Sequence, residues 1–440
     1  MGRYFGTDGI RGKAGVTLLD ETVYKVGKFV GNYFENAKIV IGMDTRLSSK
    51  GFEEDLKKGM VESGAKVYLL GYCSTPCLAY ITMKDKFSCG VMISASHNPY
   101  TDNGIKIFGN DGFKIGDDIE GKIEDYIDDP QGIEEKQGGE VIDYHEAIAD
   151  YQDWLLKRYP LDLKGMKVCV DLCNGSNCYT AKGVLEKLNG NFTYINDAPD
   201  GTNINNNCGS THLGMLQDTV KNGDFDMGMA FDGDADRVLF VDEDGEVVDG
   251  DKIMYLLSKY LKDRNMLSGN TLVTTVMSNI GLYKSLEKIG VESDITPVGD
   301  KNVTDSIVRN GFVVGGEQSG HIIYSNDCYF GDGLKTALLV FEALTYYGAS
   351  LKEAVKEVKI YPQLLVNEPV KDKKVVLNDE EINKKIKEIS DELSNNGRIL
   401  VRPSGTEPLI RVMVEAESDE LCHKYVYEVI DLIKMRGYAL

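Results

Sequence analysis

The chain is 440 residues long with 42% hydrophobic and 27% charged residues, the make-up of folded globular domains and not of a disordered or fibrous chain. At about 150 residues per domain it is too long for one core and should hold three domains or four. Its 49 Lys and Arg against 70 Asp and Glu give a formal net charge of -21, which speaks against a nucleic-acid or anionic-membrane surface and makes any basic cluster stand out.

The nine cysteines are odd in number and scattered, and Cys73/Cys77 or Cys169/Cys173/Cys178 lack the paired CxxC spacing of zinc sites, so reduced structural thiols are expected. MGRYFGTDG has no apolar signal core, Gly6 stands where a myristoylation motif wants Ser or Thr, and no stretch approaches a membrane span. A cytoplasmic protein is the expectation.

In chain order, RYFGTDGIRGKAG is a glycine-rich loop with Arg11 and Lys13, ambiguous by itself. Lys38 to Asp44 (KIVIGMD) is an apolar run ending in a carboxylate. The polar loop TRLSSKG, a helical pattern through Met60, a stop at Gly64 and the second run KVYLLG follow, which together read as strand, helix, strand. Val91 to Pro99 (VMISASHNP) is a buried-strand pattern that breaks into small polar residues, which places Ser96 at a strand mouth. Ser followed by His suggests a hydrolase dyad, but neighbouring side chains diverge on an extended chain and no GxSxG elbow is present. Alone, the stretch fits either a nucleophile or a polar strand-end turn.

Pro130 to Glu140 (PQGIEEKQGGE) reads as a surface connection near the end of the first domain. The strand, helix, strand pattern recurs at KVCVDLC, a helix ending near Asn189-Gly190 and NFTYIN, and again at TLVTTVMS, a helix ending at Gly290 and VESDITPVG. Three such units imply three α/β domains with mainly parallel sheets. After Pro362 the order changes to strand, charged helix, two strands around RPSGTEP and a final helix, a smaller α+β domain.

Within FDMGMAFDGDADRVLF, Asp232, Asp234 and Asp236 alternate with Gly233 and Ala235 between a strand and a hairpin. Three carboxylates so spaced can curl round one hard cation. Calcium is the rival, and Glu243 falls on the twelfth position of an EF-hand loop, but Arg237 stands where that loop needs Gly and the flanks are strand-like. Magnesium fits better, since it takes a few carboxylates plus phosphate oxygens. GGEQSGHII offers Glu317, Gln318, Ser319 and His321 on a Gly-flanked turn suited to sugar hydroxyl or amino groups. RPSGTEPLIRV combines a Gly turn with Ser404, Thr406, Arg402 and Arg411, the groups that hold a phosphate dianion, although a plain hairpin is an alternative. A nucleophile, a cation site and groups that fix a substrate are the parts phosphoryl transfer needs.

These stretches resemble the α-D-phosphohexomutase family across the whole chain. GTDGIRG, ISASHNP with DNGIKIF, DGDADR, GEQSGH and RPSGTEP stand in the family's order. The resemblance implies α/β domains at 1–147, 148–248 and 249–362 and an α+β domain at 363–440, arranged around a central cleft. It implies that Ser96 is the phosphorylated serine, and that Asp232, Asp234, Asp236 and a phosphoserine oxygen bind one Mg²⁺. Lys106 and His321 match positions with acid/base roles, and Arg11 and Arg237 positions near the transferred phosphoryl. Glu317 and Ser319 match the sugar loop, and Arg402, Ser404, Gly405, Thr406 and Arg411 the distal phosphate site.

Gln318 resembles the glucosamine branch of the family. The implied reaction is reversible conversion of glucosamine 6-phosphate to glucosamine 1-phosphate through a phosphoserine and a 1,6-bisphosphate, feeding UDP-N-acetylglucosamine synthesis, with a C-terminal domain that moves. A glucose or mannose phosphate mutase, a Mg²⁺-dependent sugar phosphatase and a non-catalytic sugar-phosphate binder are the alternatives. The expected partner is a small hexosamine phosphate, with no nucleic acid and no membrane, for a monomer or homodimer.

Overall fold

The computed structural model describes residues 2–404 and 407–440. The chain packs as two units: one runs to Met277 and resumes over Val291–Lys356, and the other joins Ser278–Gly290 to Glu357–Leu440.

The first unit carries three mixed sheets. In the first, strands β1 (Phe5–Gly6), β2 (Gly9–Lys13), β3 (Lys38–Met43), β4 (Lys66–Tyr72), β5 (Cys89–Ile93), β6 (Asp102–Gly109) and β7 (Glu140–Asp143) lie in the order β1-β2-β6-β5-β3-β4-β7. β3 runs parallel to both β4 and β5, whereas β5 and β6 are antiparallel arms of a hairpin whose loop is SASHNPYT. Continuous apolar runs mark β3 and β5 because helices cover them: all of β5 and every residue of β3 after Lys38 is buried. The helices Asp20–Tyr33 and Ser49–Glu62 meet backbone to backbone. A Cβ on Gly27 would lie 2.3 Å from the Leu56 carbonyl oxygen, so only glycine permits that approach.

The second sheet orders β8 (Lys167–Asp171), β9 (Asn191–Ile195), β10 (Met227–Phe231), β11 (Val238–Asp242) and β12 (Val247–Val248) as β12-β11-β10-β8-β9. The crossover from β8 to β9 is broken into short helical turns and ends on Asn189 in the left-handed region, near the predicted helix stop. The third sheet orders β13 (Thr271–Thr275), β14 (Glu292–Thr296), β15 (Val314–Gly316) and β16 (Ile322–Tyr324) as β14-β13-β15-β16. In each sheet the hairpin-linked neighbours are antiparallel and most other pairs are parallel, β2 with β6 being an antiparallel pair without a hairpin. An apolar run gives a strand's burial but not its direction.

The helix Ile280–Lys288 completes the third repeat in sequence, yet it packs with the second unit. Asn279 exchanges two hydrogen bonds with the backbone of Tyr361, and Glu415, fully buried, accepts from the Ile280 N–H at 2.9 Å and from Arg398 Nε at 2.7 Å. The rest of this unit is the antiparallel sheet β17 (Gln363–Pro369), β18 (Arg398–Pro403) and β19 (Leu409–Glu415) in the order β17-β19-β18, with helices Glu380–Leu393 and Asp419–Met435 closing a core that includes Ile382, Ile410, Val414, Val426 and Ile430. This agrees with the α+β pattern predicted after Pro362. Among the described residues no helix is long and apolar enough to cross a membrane.

Asp379 caps the helix Glu380–Leu393 and accepts from the Tyr438 hydroxyl and from Arg436. The Tyr438 hydrogen bond, with the Ile382 N–H and Arg436, holds its carboxyl down at about 2. A depressed folded-state value contributes stability that is present above the unfolded value of about 4 and is lost as pH falls through the folded one. Asp379→Asn is therefore expected to flatten the acid-side loss of stability of this unit between about pH 4 and 2, measured by denaturant unfolding across pH. An unchanged slope would contradict it.

Candidate active site

Ser96 sits three residues past β5 in a turn that neighbouring groups hold rigidly. Its φ is +52°, in the left-handed region, a conformation that costs a serine about 1–3 kcal/mol and persists only where surroundings fix it. Ser94 Oγ donates to Asp44 Oδ2 at 2.6 Å and accepts from the Ser96 N–H at 2.9 Å. Arg46, entirely buried, pairs with Asp44 and donates to the carbonyls of Ser96, Asn98, Pro99 and Asp102. Asn205 Nδ2, from the second domain, donates to the Ser96 carbonyl at 2.8 Å.

The left-handed turn changes the expected relation of Ser96 to His97. The sequence reading has the two side chains diverging along extended chain, but His97 Nδ1 lies 3.2 Å from Ser96 Oγ. It is still no hydrolase dyad. The single hydroxyl proton goes to Asp232 Oδ2 at 2.7 Å, while Nδ1 accepts from Arg237 Nη1 at 3.3 Å. Burial, with Arg237 and Arg11 nearby, brings the His97 ring down to about 4, so it is neutral.

Asp232, Asp234 and Asp236 lie on the loop joining β10 to β11, and one carboxylate oxygen from each falls within 4.8 Å of the others. Gly233 is required by contact with the serine turn: a Cβ there would stand 2.5 Å from the Ser96 carbonyl oxygen. All three acids are buried. Burial together with Asp236 and Asp234 pushes the Asp232 carboxyl up to about 7. For Asp236 burial is outweighed by Lys106 and His321, which leave it well below the usual range. Asp234 Oδ1 and Asp236 Oδ1 have no hydrogen-bond partner. Buried carboxylate oxygens without partners, on three hard ligands beside a serine, fit a Mg²⁺ ion that completes its shell with phosphate oxygens.

Lys106, on β6, is buried and reaches Asp234 at 2.7 Å, Asp8 at 2.9 Å and Asp236 at 3.2 Å. Burial opposes its charge, but these three carboxylates outweigh burial and hold its ammonium well above the ordinary lysine value. His321 points Nδ1 at Asp236 Oδ1, 3.5 Å away, and Nε2 toward Asp300 at 3.9 Å; Nε2 has no hydrogen-bond partner. Burial would lower the ring, and Asp236 with Asp300 raises it above its ordinary value. Arg11 pairs with Asp8, and Arg237 Nε stands 3.7 Å from Asp236. A cavity of about 770 Å³ opens onto Asp236, His321, Lys114, Asp300 and Phe330.

In the loop GGEQSGH, Glu317 Oε1 accepts from the Gly299 N–H at 3.0 Å, and Ser319 Oγ is buried without a hydrogen-bond partner. Gln318 instead donates to Asp249 Oδ2 at 3.1 Å, bracing the residue that caps the helix Gly250–Asp263.

In the second unit, Arg402 and Arg411 stand opposite each other across β18 and β19. Burial and the charge of Arg411 lower the Arg402 value. Two cations facing each other across a sheet repel, and Arg411 Nη2 lies 3.9 Å from Glu407 Oε2. Arg411 Nε is buried without a partner, and Lys373 Nζ donates to the Ser404 carbonyl at 2.7 Å. Gly405 and Thr406, predicted in the same loop, lie outside the described residues.

Sequence reasoning missed Asp8, Arg46, Lys114, Asn205 and Asp300, and it set His97 aside as diverging from Ser96. Asp8 lies inside GTDGIRG, and Asp44 with Arg46 closes a strand, so both carried a signal. Nothing in the sequence around Asn205 or Asp300 pairs it with Ser96 or His321.

Four domain descriptions of one family match in succession: phosphoglucomutase/phosphomannomutase alpha/beta/alpha domain I over residues 2–132, domain II over 143–245, domain III over 249–361 and the C-terminal domain over 365–432. The chain belongs to the phosphoglucomutase/phosphomannomutase family and is an enzyme of the phosphohexomutase class. Among its curated relatives, the phosphoglucosamine mutase of Lachnospira eligens is 48% identical over 450 residues, covering 100% of both chains. That of Streptococcus mutans is 45% identical over 445 residues, covering 99% of each. The fold is also that of a phosphoglucomutase/phosphomannomutase family protein from Burkholderia thailandensis, with a TM-score of 0.81 at 22% identity over 98% of this chain and 97% of the other. The N-acetylphosphoglucosamine mutase of Aspergillus fumigatus, solved with GlcNAc-6P and magnesium, gives a TM-score of 0.72 at 20% identity over 98% and 95%.

Arg46 is the test of how the serine turn is held. Arg46→Met removes one partner of a buried ion pair and orphans four carbonyls, and is expected to cost about 3–5 kcal/mol in urea unfolding of the full chain. A loss under about 1 kcal/mol, the level of a surface pair, would contradict the clamp.

Proposed function

We propose that this enzyme interconverts glucosamine 6-phosphate and glucosamine 1-phosphate, with phosphoserine 96 as the phosphoryl donor. The observation that carries the reading is the Ser96 hydroxyl, fully buried and 2.7 Å from Asp232 of an acidic triad suited to Mg²⁺. The glucosamine preference is supported by full-length identity to phosphoglucosamine mutases.

Asp232, Asp234 and Asp236, with an oxygen of phosphoserine 96, would hold the Mg²⁺. When bound, that ion neutralises negative charge as the phosphoryl group moves. In the forward step the bond from phosphorus to Ser96 Oγ breaks and one to the sugar O1 forms. His321 Nε2, unpartnered and buried, takes the O1 proton, and Asp236 behind Nδ1 stabilises the imidazolium. Lys106, an ammonium lying among Asp234, Asp8 and Asp236, is assigned as the proton donor to the departing Ser96 oxygen. Arg11 and Arg237 meet the transferred phosphoryl.

The resulting 1,6-bisphosphate turns end for end, and its 6-phosphoryl returns to Ser96, leaving glucosamine 1-phosphate. Glu317 and Ser319 contact the sugar, while Arg402, Ser404 and Arg411 hold the phosphate that is not reacting. A serine buried from solvent favours return of the phosphoryl to sugar over its loss to water.

Ser96→Ala is expected to abolish mutase turnover and to lower the mass of the purified protein by one phosphate, read by intact mass spectrometry and a coupled assay with glucosamine, glucose and mannose 1-phosphates. Substantial turnover in the variant would refute the nucleophile. Equal efficiency on all three sugars would refute the glucosamine preference.

A further inference from the structure

Around His321 and Lys106, basic groups and carboxylates alternate in a closed ring. Lys106 meets Asp8 and Asp236, Asp236 meets His321, His321 faces Asp300, and Lys114 Nζ joins Asp300 back to Asp8. The ring spans three domains: Asp8, Lys106 and Lys114 belong to the first sheet's domain, Asp236 to the second, and His321 and Asp300 to the third. Lys114 stands on the turn after β6, bridged to Phe108, and Asp300 begins the helix Asp300–Asn310 after Gly299. The function proposed above leaves Lys114 without a part.

Its place is unlike that of a surface lysine. Asp8 gives one carboxylate oxygen to Lys114 and the other to Lys106 and Arg11. Without Lys114, Asp8 would keep Lys106 and Arg11 on one oxygen but lose its tie to the third domain, and Asp300 would lose its nearest cation among the described residues and could move toward or away from His321. Lys106 and His321 share Asp236 on the short side of the ring, and Lys114 closes the long side through Asp8 and Asp300, so it is the lysine that keeps the two groups from pivoting about Asp236.

We propose that Lys114 is the positioning residue of this site: by clamping Asp8 to Asp300 it sets Lys106 and His321 at a fixed separation across the phosphoryl-transfer path. The inference rests on the acid/base roles proposed above. Misplacing a reacting group by about 1 Å costs about a hundredfold in rate, so the effect belongs to kcat and much less to substrate binding.

Lys114→Met, which keeps length and removes charge, is expected to lower kcat by about a hundredfold while KM stays within about threefold. Phosphoserine content by intact mass should be unchanged. Lys114→Arg should recover most of the loss. Asp300→Asn should reproduce the kcat loss, and the double variant Lys114→Met with Asp300→Asn should be no slower than either single one. A kcat within about twofold of native, a loss seen only in KM, no recovery with arginine, or losses that multiply in the double variant would each overturn the proposal. Should Lys114→Met fail to fold, Asp300→Asn and Lys114→Arg decide it by the same readings. Native enzyme is assayed alongside on the three sugar 1-phosphates: if glucosamine is not the best substrate the functional reading fails, and Lys114 is judged on whichever sugar is.

Discussion

Three carboxylates share one buried space with the hydroxyl of Ser96, and that crowding governs the rest of the site. Two like charges about 4 Å apart repel by about 4 kcal/mol at the effective dielectric of a partly buried pair. The protein meets the repulsion in part by protein cations: Lys106 against Asp234 and Asp236, Arg237 and His321 against Asp236. What they leave is a high Asp232 carboxyl, Asp234 Oδ1 without a hydrogen-bond partner, and Asp236 Oδ1 with only the longer approaches of His321 at 3.5 Å and Arg237 at 3.7 Å. That residue of uncompensated negative charge is the physical argument for a divalent cation at the serine.

The same constraint explains the construction of the serine turn. A flexible loop would carry Ser96 away from a triad that repels any further negative charge. Arg46 and Asn205 instead fix its backbone, and Gly233 lets the aspartate loop touch the Ser96 carbonyl. The first and second domains thus share one polar seam, in which neither the serine nor the acids are positioned by their own sheet alone.

Much of this was legible in the sequence because strand ends have clear signatures. KIVIGMD and VMISASHNP read as buried strands ending in polar residues, and the alternate spacing of Asp232, Asp234 and Asp236 survives folding as a cluster. Contacts made across domains were not legible. The left-handed Ser96 reverses the expected divergence from His97, and Asp300 meets His321 only because a helix start and a hairpin converge. Gln318 reads in sequence as resembling the glucosamine branch, and its side chain donates to Asp249, the cap of the helix Gly250–Asp263. The helix Ile280–Lys288 looked like any crossover helix, and the Asn279 and Glu415 hydrogen bonds that tie it to the second unit have no local pattern.

The most direct test of a cation shared between phosphoserine 96 and the aspartate loop is ³¹P NMR of the purified enzyme titrated with Mn²⁺. One equivalent should broaden the phosphoserine resonance beyond detection, and Asp234→Asn should restore it. A phosphoserine signal that stays sharp while Mn²⁺ binds would place the metal away from Ser96 and contradict the account.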